Sequence, residues 1–189
     1  MGLDKVNFLY YNNQYMTNKN QNLAPNPQTN LIQKIYMVAD HAGYDLLQDL
    51  YKALVEDNHI GQGSPKRVFL NLSSKLNPAD DYPRIIQNLN TTILNNTENQ
   101  HNNYMCIAIC GSGQGVCIAL NRYNYLRAGI GYDEISARTM REHNQANCLC
   151  LSSQHLNLGQ ALKIVKIFLE TEPSNEPRHT QRVEMLAHM

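Results

Sequence analysis

The chemistry-bearing part of this chain is Cys110-Gly111-Ser112-Gly113-Gln114-Gly115, which joins a buried apolar run to a helical one. Glycines at alternate positions let backbone N–H groups converge on an anion beside a helix N-terminus. The spacing is G-x-G-x-G and so is not the dinucleotide fingerprint, and tight packing alone would also call for such a turn. Cys110 stands at its mouth. A thiol at the positive end of a helix, facing a cleft, is placed to act as a thiolate base, the plainer alternative being a buried strand-end thiol. Ser112 offers a hydroxyl to a developing enediolate oxygen. A base with oxyanion donors is the minimum equipment for removing a proton alpha to a carbonyl.

Three further groups have two readings each. Asp40-His41 follows an apolar run, and Asp40 serves either a substrate or the N-terminus of the helix starting near Gly43. His143-Asn144 closes another helix, where a histidine also complements the dipole. Arg178 and Arg182 lie one helical turn apart, so they either grip one phosphate together or form a solvated basic face.

Composition narrows the partners. Sixteen basic and sixteen acidic side chains balance, so no global field draws the chain to nucleic acid or anionic membrane, and an anionic ligand needs a local cluster. No apolar run of about 18 residues spans a bilayer. The first residues lack the basic start and apolar stretch of a secretory signal, which leads to a cytoplasmic expectation. Of the five cysteines, Cys106, Cys117, Cys148 and Cys150 read as buried reduced thiols. An odd count and the spacings C-x₃-C and C-x-C fit neither a disulfide framework nor a zinc site.

The elements that must position these residues follow from periodicity. Residues 1–33, rich in Asn and Gln, read as a loosely ordered extension, and the folded domain is expected over 34–189. Apolar strands are expected at 34–39, 67–72, 104–110, 127–132 and 148–151, with helices at 43–57, 82–96, 116–123, 134–142, 158–170 and 177–188. Strands without apolar–polar alternation, each followed by a helix, make a parallel sheet covered on both faces. Right-handed crossovers then give a doubly wound α/β/α sandwich, Rossmann-like and five-stranded. Ligands of such sheets bind beyond the carboxyl ends of the strands, which singles out Asp40-His41 and the Cys110 turn, together with His143-Asn144 at the end of a helix nearby in sequence.

Taken in order, VADHAGYDLL, DDYP (80–83), CGSGQGVCIALNR (110–122), YDEISARTMREHNQAN (132–147) and RHTQRVE (178–184) resemble the type B ribose-5-phosphate isomerases, a family that includes the galactose-6-phosphate isomerase subunits. The resemblance spans residues 34–189. It implies a metal-free and cofactor-free interconversion of ribose 5-phosphate and ribulose 5-phosphate. In that mechanism Cys110 moves the proton between C2 and C1. Ser112 and the backbone of Gly111, Gly113 and Gly115 stabilise the enediolate. His143 assists ring opening, with Asn144 at the hydroxyls. Asp40 and Tyr82 hold sugar oxygens, while His41, Arg178 and Arg182 hold the phosphate. It further implies a homodimer or homotetramer in which the His-Asn segment reaches into the neighbour's site.

The chain departs from the family after its last strand. Where relatives carry Gly-(Gly/Ser)-Arg, it reads Ser152-Ser153-Gln154 and loses an arginine that helps bind phosphate. The competing readings are an isomerase of a six-carbon phosphosugar, allose or galactose 6-phosphate, and a non-catalytic phosphosugar-binding module. A pure binder needs neither Cys110 nor His143.

Overall fold

The computed structural model describes residues 32–57, 66–96 and 104–189. The expected extension falls almost wholly outside them, but Ile32 and Gln33 already belong to the first strand.

Five strands, β1 (Ile32–Ala39), β2 (Lys66–Asn71), β3 (Tyr104–Cys110), β4 (Ala128–Ile130) and β5 (Cys148–Ser152), form one sheet in the order β2-β1-β3-β5-β4, and every pairing is parallel. Between them run helices α1 (Tyr44–Glu56), α2 (Tyr82–Asn96), α3 (Gln114–Leu120) and α4 (Glu134–Asn144). After β5 come α5 (Leu158–Glu170) and α6 (Pro177–Leu186).

Side-chain alternation sends Ile35, Met37, Ile107, Ile109, Leu149 and Leu151 to the face covered by α1, α4 and α5. Tyr36, Val38, Cys106, Ala108, Cys148 and Cys150 go to the face covered by α2 and α3. This is the doubly wound α/β sandwich that the strand composition predicts. All seven residues of the central β3 are buried, so no polar face marks its sequence. The edge strands β2 and β4 are only partly covered.

Element boundaries depart from periodicity where side chains intervene. Helix α3 starts at Gln114, earlier than expected, because Gly113 takes a left-handed φ of 76° that turns the chain into the helix. It stops at Leu120 because the Asn121 side chain bonds Cys117 O at 3.0 Å and both backbone groups of Ala128. Asp133 and Ser136 cap α4 reciprocally, with Ser136 N–H 2.6 Å from Asp133 Oδ1. Gln145, at φ 48°, ends it. Below that end lies Arg141, which donates to Thr171 O at 3.1 Å and Ala146 O at 2.6 Å. Burial lowers the Arg141 pKa to about 10, so the guanidinium stays charged at neutral pH and holds α4, the chain after α5 and the entry to β5 together. Among the described residues no helix is long and apolar enough to cross a membrane.

Candidate active site

The chain winds from β1 outward to β2, then back across to β3, so the strand order reverses between β1 and β3. In open parallel sheets the ligand crevice lies at such a reversal, outside the carboxyl ends of the strands. Asp40 ends β1 and Cys110 ends β3, and their loops are stapled together. Asp40 N–H donates to Ile109 O at 3.2 Å. From the β5–α5 turn, Ser153 Oγ donates to Ala42 O at 2.8 Å and sits 3.3 Å from Cys110 O.

Asp40 is nearly buried and its Oδ1 accepts from the N–H groups of Ala42 and Gly43, both at 3.0 Å. One carboxylate oxygen therefore shapes the turn into α1, three residues ahead of the helix's own cap Gly43. His41 is exposed beside Asp40, its Nδ1 3.4 Å from Asp80 O. Tyr82 opens α2 and lays its ring on Gly115, where an added Cβ would stand 3.0 Å from ring carbons.

Cys110 is 4% exposed, and Gly113 N–H points at its sulfur from 3.1 Å, the donor a thiolate needs. Ser112 is exposed, its Oγ 3.3 Å from Gln114 N. The other thiols differ in kind. Cys106 and Cys148 are in-register neighbours on β3 and β5. Burial pushes Cys148 and Cys150 well up from the ordinary thiol range, so both stay protonated. Cys117 is half-buried on α3 rather than on a strand. All five cysteines are free.

His143, Asn144, Arg178 and Arg182 do not join this group within the chain. Cys148 is in register with Cys106, four residues before Cys110, which at about 3.3 Å per residue places it about 13 Å down the sheet. Helix α4 runs from the carboxyl edge back past that level, so its end lies at the amino edge. There the His143 ring packs against His179, centroids 4.2 Å apart at 41°. Asn144 borders a recess of about 520 Å³ shared with Arg122, Arg127, Leu186 and Met189. Arg178 and Arg182 flank buried His179 on α6, exposed, and neither meets a carboxylate among the described residues. His179 is 4% exposed and its Nδ1 has no hydrogen-bond partner. Burial, then the nearby His143, Arg178 and Arg182, pushes its pKa down, so it is a neutral hydrogen-bonding group between two cations.

Three residues escape a reading of the sequence: His179, hidden inside a basic cluster, and the pair Ser152 and His155. Ser152 is the in-register neighbour of Cys110, and its Oγ lies 2.7 Å from Gly111 O and 2.8 Å from His155 Nδ1. Their i, i+3 spacing was the available signal, but only pairing with β3 shows what they touch.

A doubly wound domain with a cysteine at its switch-point crevice is the class that fold and site define. The chain belongs to the Ribose/Galactose Isomerase family, whose pattern matches residues 35–186. A relative described as a probable ribose-5-phosphate isomerase B from Mycoplasma pneumoniae is 35% identical over 149 residues, 79% of this chain and 90% of its own length. Among solved structures, a ribose 5-phosphate isomerase from Thermotoga maritima matches with a TM-score of 0.70 and 28% identity, over 83% of this chain and 99% of that one. Ribose-5-phosphate isomerase B of Mycoplasma genitalium, solved with bound ribulose-5-phosphate, matches with a TM-score of 0.69 and 27% identity, over 82% and 94%.

Proposed function

We propose that this protein is an aldose–ketose isomerase that interconverts ribose 5-phosphate and ribulose 5-phosphate through an enediolate, without a metal or organic cofactor. The observation that carries this reading is Cys110 at the carboxyl end of β3, its Sγ accepting the Gly113 N–H of its own loop at 3.1 Å.

In the open-chain sugar, Cys110 as thiolate takes the C2 proton and returns it to C1. The charge that develops on oxygen is met by Ser112 and the loop amides, which exist before the substrate arrives and so cost no reorganisation. Asp40 and Tyr82 border the same crevice and hold sugar hydroxyls. His41, at its rim, faces the phosphate.

Ring opening and the rest of the phosphate clamp come from a second copy, so we infer a homodimer or larger assembly with shared sites. The support is geometric. His143 and Cys110 stand at opposite edges of one sheet, and a rigid sheet cannot bring them together. The amino edge also carries a buried histidine nitrogen without a partner and two unpaired arginines, features a ligand or a neighbouring subunit would satisfy. The site of action is taken to be the cytoplasm.

The test is a coupled assay of ribose 5-phosphate conversion in the presence of EDTA, run beside allose 6-phosphate and galactose 6-phosphate. Turnover of the pentose phosphate above the six-carbon substrates is the expected result. Turnover abolished by EDTA and restored by a divalent ion overturns the metal-free mechanism. Preference for a six-carbon substrate reassigns the substrate and keeps the chemistry.

A further inference from the structure

The loop that carries the base is held by two residues that no step of the proposed reaction uses. Gly111 O receives Gln154 N–H at 3.1 Å and the Ser152 hydroxyl at 2.7 Å. The same hydroxyl lies 2.8 Å from His155 Nδ1. Ser152 is 6% exposed and His155 is open to solvent.

Hydrogen counting fixes the direction of this chain. A carbonyl only accepts, so the single Ser152 proton goes to Gly111 O. His155 Nδ1 must then donate to Ser152 Oγ. Both the Nδ1–H neutral ring and the imidazolium satisfy this, and the opposite tautomer does not. The order is His155 to Ser152 to Gly111.

The Gly111–Ser112 peptide is planar and trans, so its C=O and N–H point in opposite directions. With the carbonyl held on the β5 side, Ser112 N–H points to the β1 side, where Asp40 and His41 stand. That N–H has no acceptor among the described residues. A flipped peptide would aim a carbonyl dipole at the crevice and repel the oxyanion.

We propose that His155 and Ser152 form a positioning relay that locks the Gly111–Ser112 peptide with the Ser112 N–H facing the crevice, where it receives the enediolate oxygen. This rests on the isomerase reading for the identity of the oxyanion, though not for the orientation of the peptide. Neither residue touches substrate. Because the N–H acts on charge that develops only in the transition state, its loss lowers kcat more than it raises KM.

The test compares wild type with Ser152→Ala, His155→Phe and His155→Asn in steady-state kinetics, and follows the Ser112 amide resonance by ¹⁵N–¹H NMR. Losing an oxyanion donor outright costs about 10²–10³ in rate, so loosening one is expected to lower kcat about tenfold in Ser152→Ala and His155→Phe, with KM held within about twofold. His155→Asn keeps an N–H donor on Cγ, at the reach of Nδ1, and is expected to recover most of the rate. The Ser112 resonance shifts in the first two variants and returns toward wild type in the third. Unchanged kcat in Ser152→Ala, or a Ser112 resonance unmoved in both damaging variants, overturns the relay. A wild type that isomerises no phosphosugar removes the isomerase reading, while the Ser112 resonance still decides whether the relay sets the peptide.

Discussion

The two edges of the sheet are built on different terms. At the carboxyl edge, the polar groups around Cys110 are largely partnered by their own chain: Asp40 by two amides, Gly111 O by two donors, the Cys110 sulfur by Gly113. At the amino edge, His179 Nδ1 is buried without a partner among the described residues, and Arg178 and Arg182 face solvent with no carboxylate of those residues beside them. In the proposed reaction the first edge is a finished cradle for reacting atoms. The second is unfinished, and in the shared-site reading a substrate phosphate and a neighbouring copy complete it. Charge follows the same division, since the carboxyl edge supplies neutral N–H and hydroxyl donors and the amino edge supplies guanidinium.

Removing the base from the finished edge has the largest expected effect. Cys110→Ala is expected to cut kcat at least about a thousandfold while leaving phosphosugar binding within a few-fold, because the thiol acts on a carbon-bound proton and not as an anchor. Single-turnover kinetics beside equilibrium binding separate the two quantities. Retained turnover in the alanine variant would put the chemistry somewhere other than the crevice.

Mixing tests whether the two edges meet. Cys110→Ala and His143→Asn are each expected to be inactive on ribose 5-phosphate. In a dimer pairing one of each, one site has lost both residues and the other has both intact. Random reassociation of equal amounts makes half the dimers mixed, so about a quarter of wild-type activity is expected to return. No recovery after verified subunit exchange means that Cys110 and His143 do not serve one site.

Much of this division is legible in the sequence, and what is missing has physical causes. Uniformly apolar strands such as YMCIAIC announce a parallel sheet, and the glycines after Cys110 announce the turn from β3 into α3, because both signals are local. The separation of His143 from Cys110 is also implicit in the alternation, since a helix following a parallel strand must return to the opposite edge. The pairing of His143 with His179 is not legible, because it depends on how α6 folds back on α4 behind the Arg141 clamp. Ser152 reads as the end of an apolar strand until its register with Cys110 is known. Of the two readings of Asp40, the turn-shaping one is visible, since Oδ1 accepts from Ala42 and Gly43.

The clamp at the unfinished edge is open to a milder test. A phosphate dianion removed from water needs several charge-assisted hydrogen bonds, each worth about 1.5–3 kcal/mol. Losing about 1.4 kcal/mol is a factor of ten, so Arg182→Ala is expected to raise KM for ribose 5-phosphate at least about tenfold with little change in kcat. The kinetics are measured at fixed ionic strength, since a solvated charge that merely steers substrate would fade with salt. An unchanged KM returns Arg178 and Arg182 to the status of surface charges and takes the phosphate away from α6.

The smallest expected effect sharpens the contrast in charge. Gln154 stands where the sequence resemblance leads one to expect an arginine. Its carboxamide nitrogen lies 3.1 Å from where a Cβ on Gly111 would stand, close to Ala42 and hence to the His41 rim. A side chain there is at the crevice rather than in free solvent, but a neutral amide brings no charge to the phosphate. Gln154→Arg is therefore expected to lower KM by about threefold to tenfold, the gain being reduced by the cost of ordering a long side chain at an exposed position. The backbone bond from residue 154 N–H to Gly111 O is untouched by the substitution, so kcat should hold. Combining Gln154→Arg with Arg182→Ala makes the comparison direct. If both residues serve one phosphate, the added guanidinium recovers part of the affinity that the missing one loses, and the two changes are not additive. Strict additivity would mean that the carboxyl edge and the amino edge act on different parts of the ligand, and the picture of one phosphate held from both sides would have to be given up.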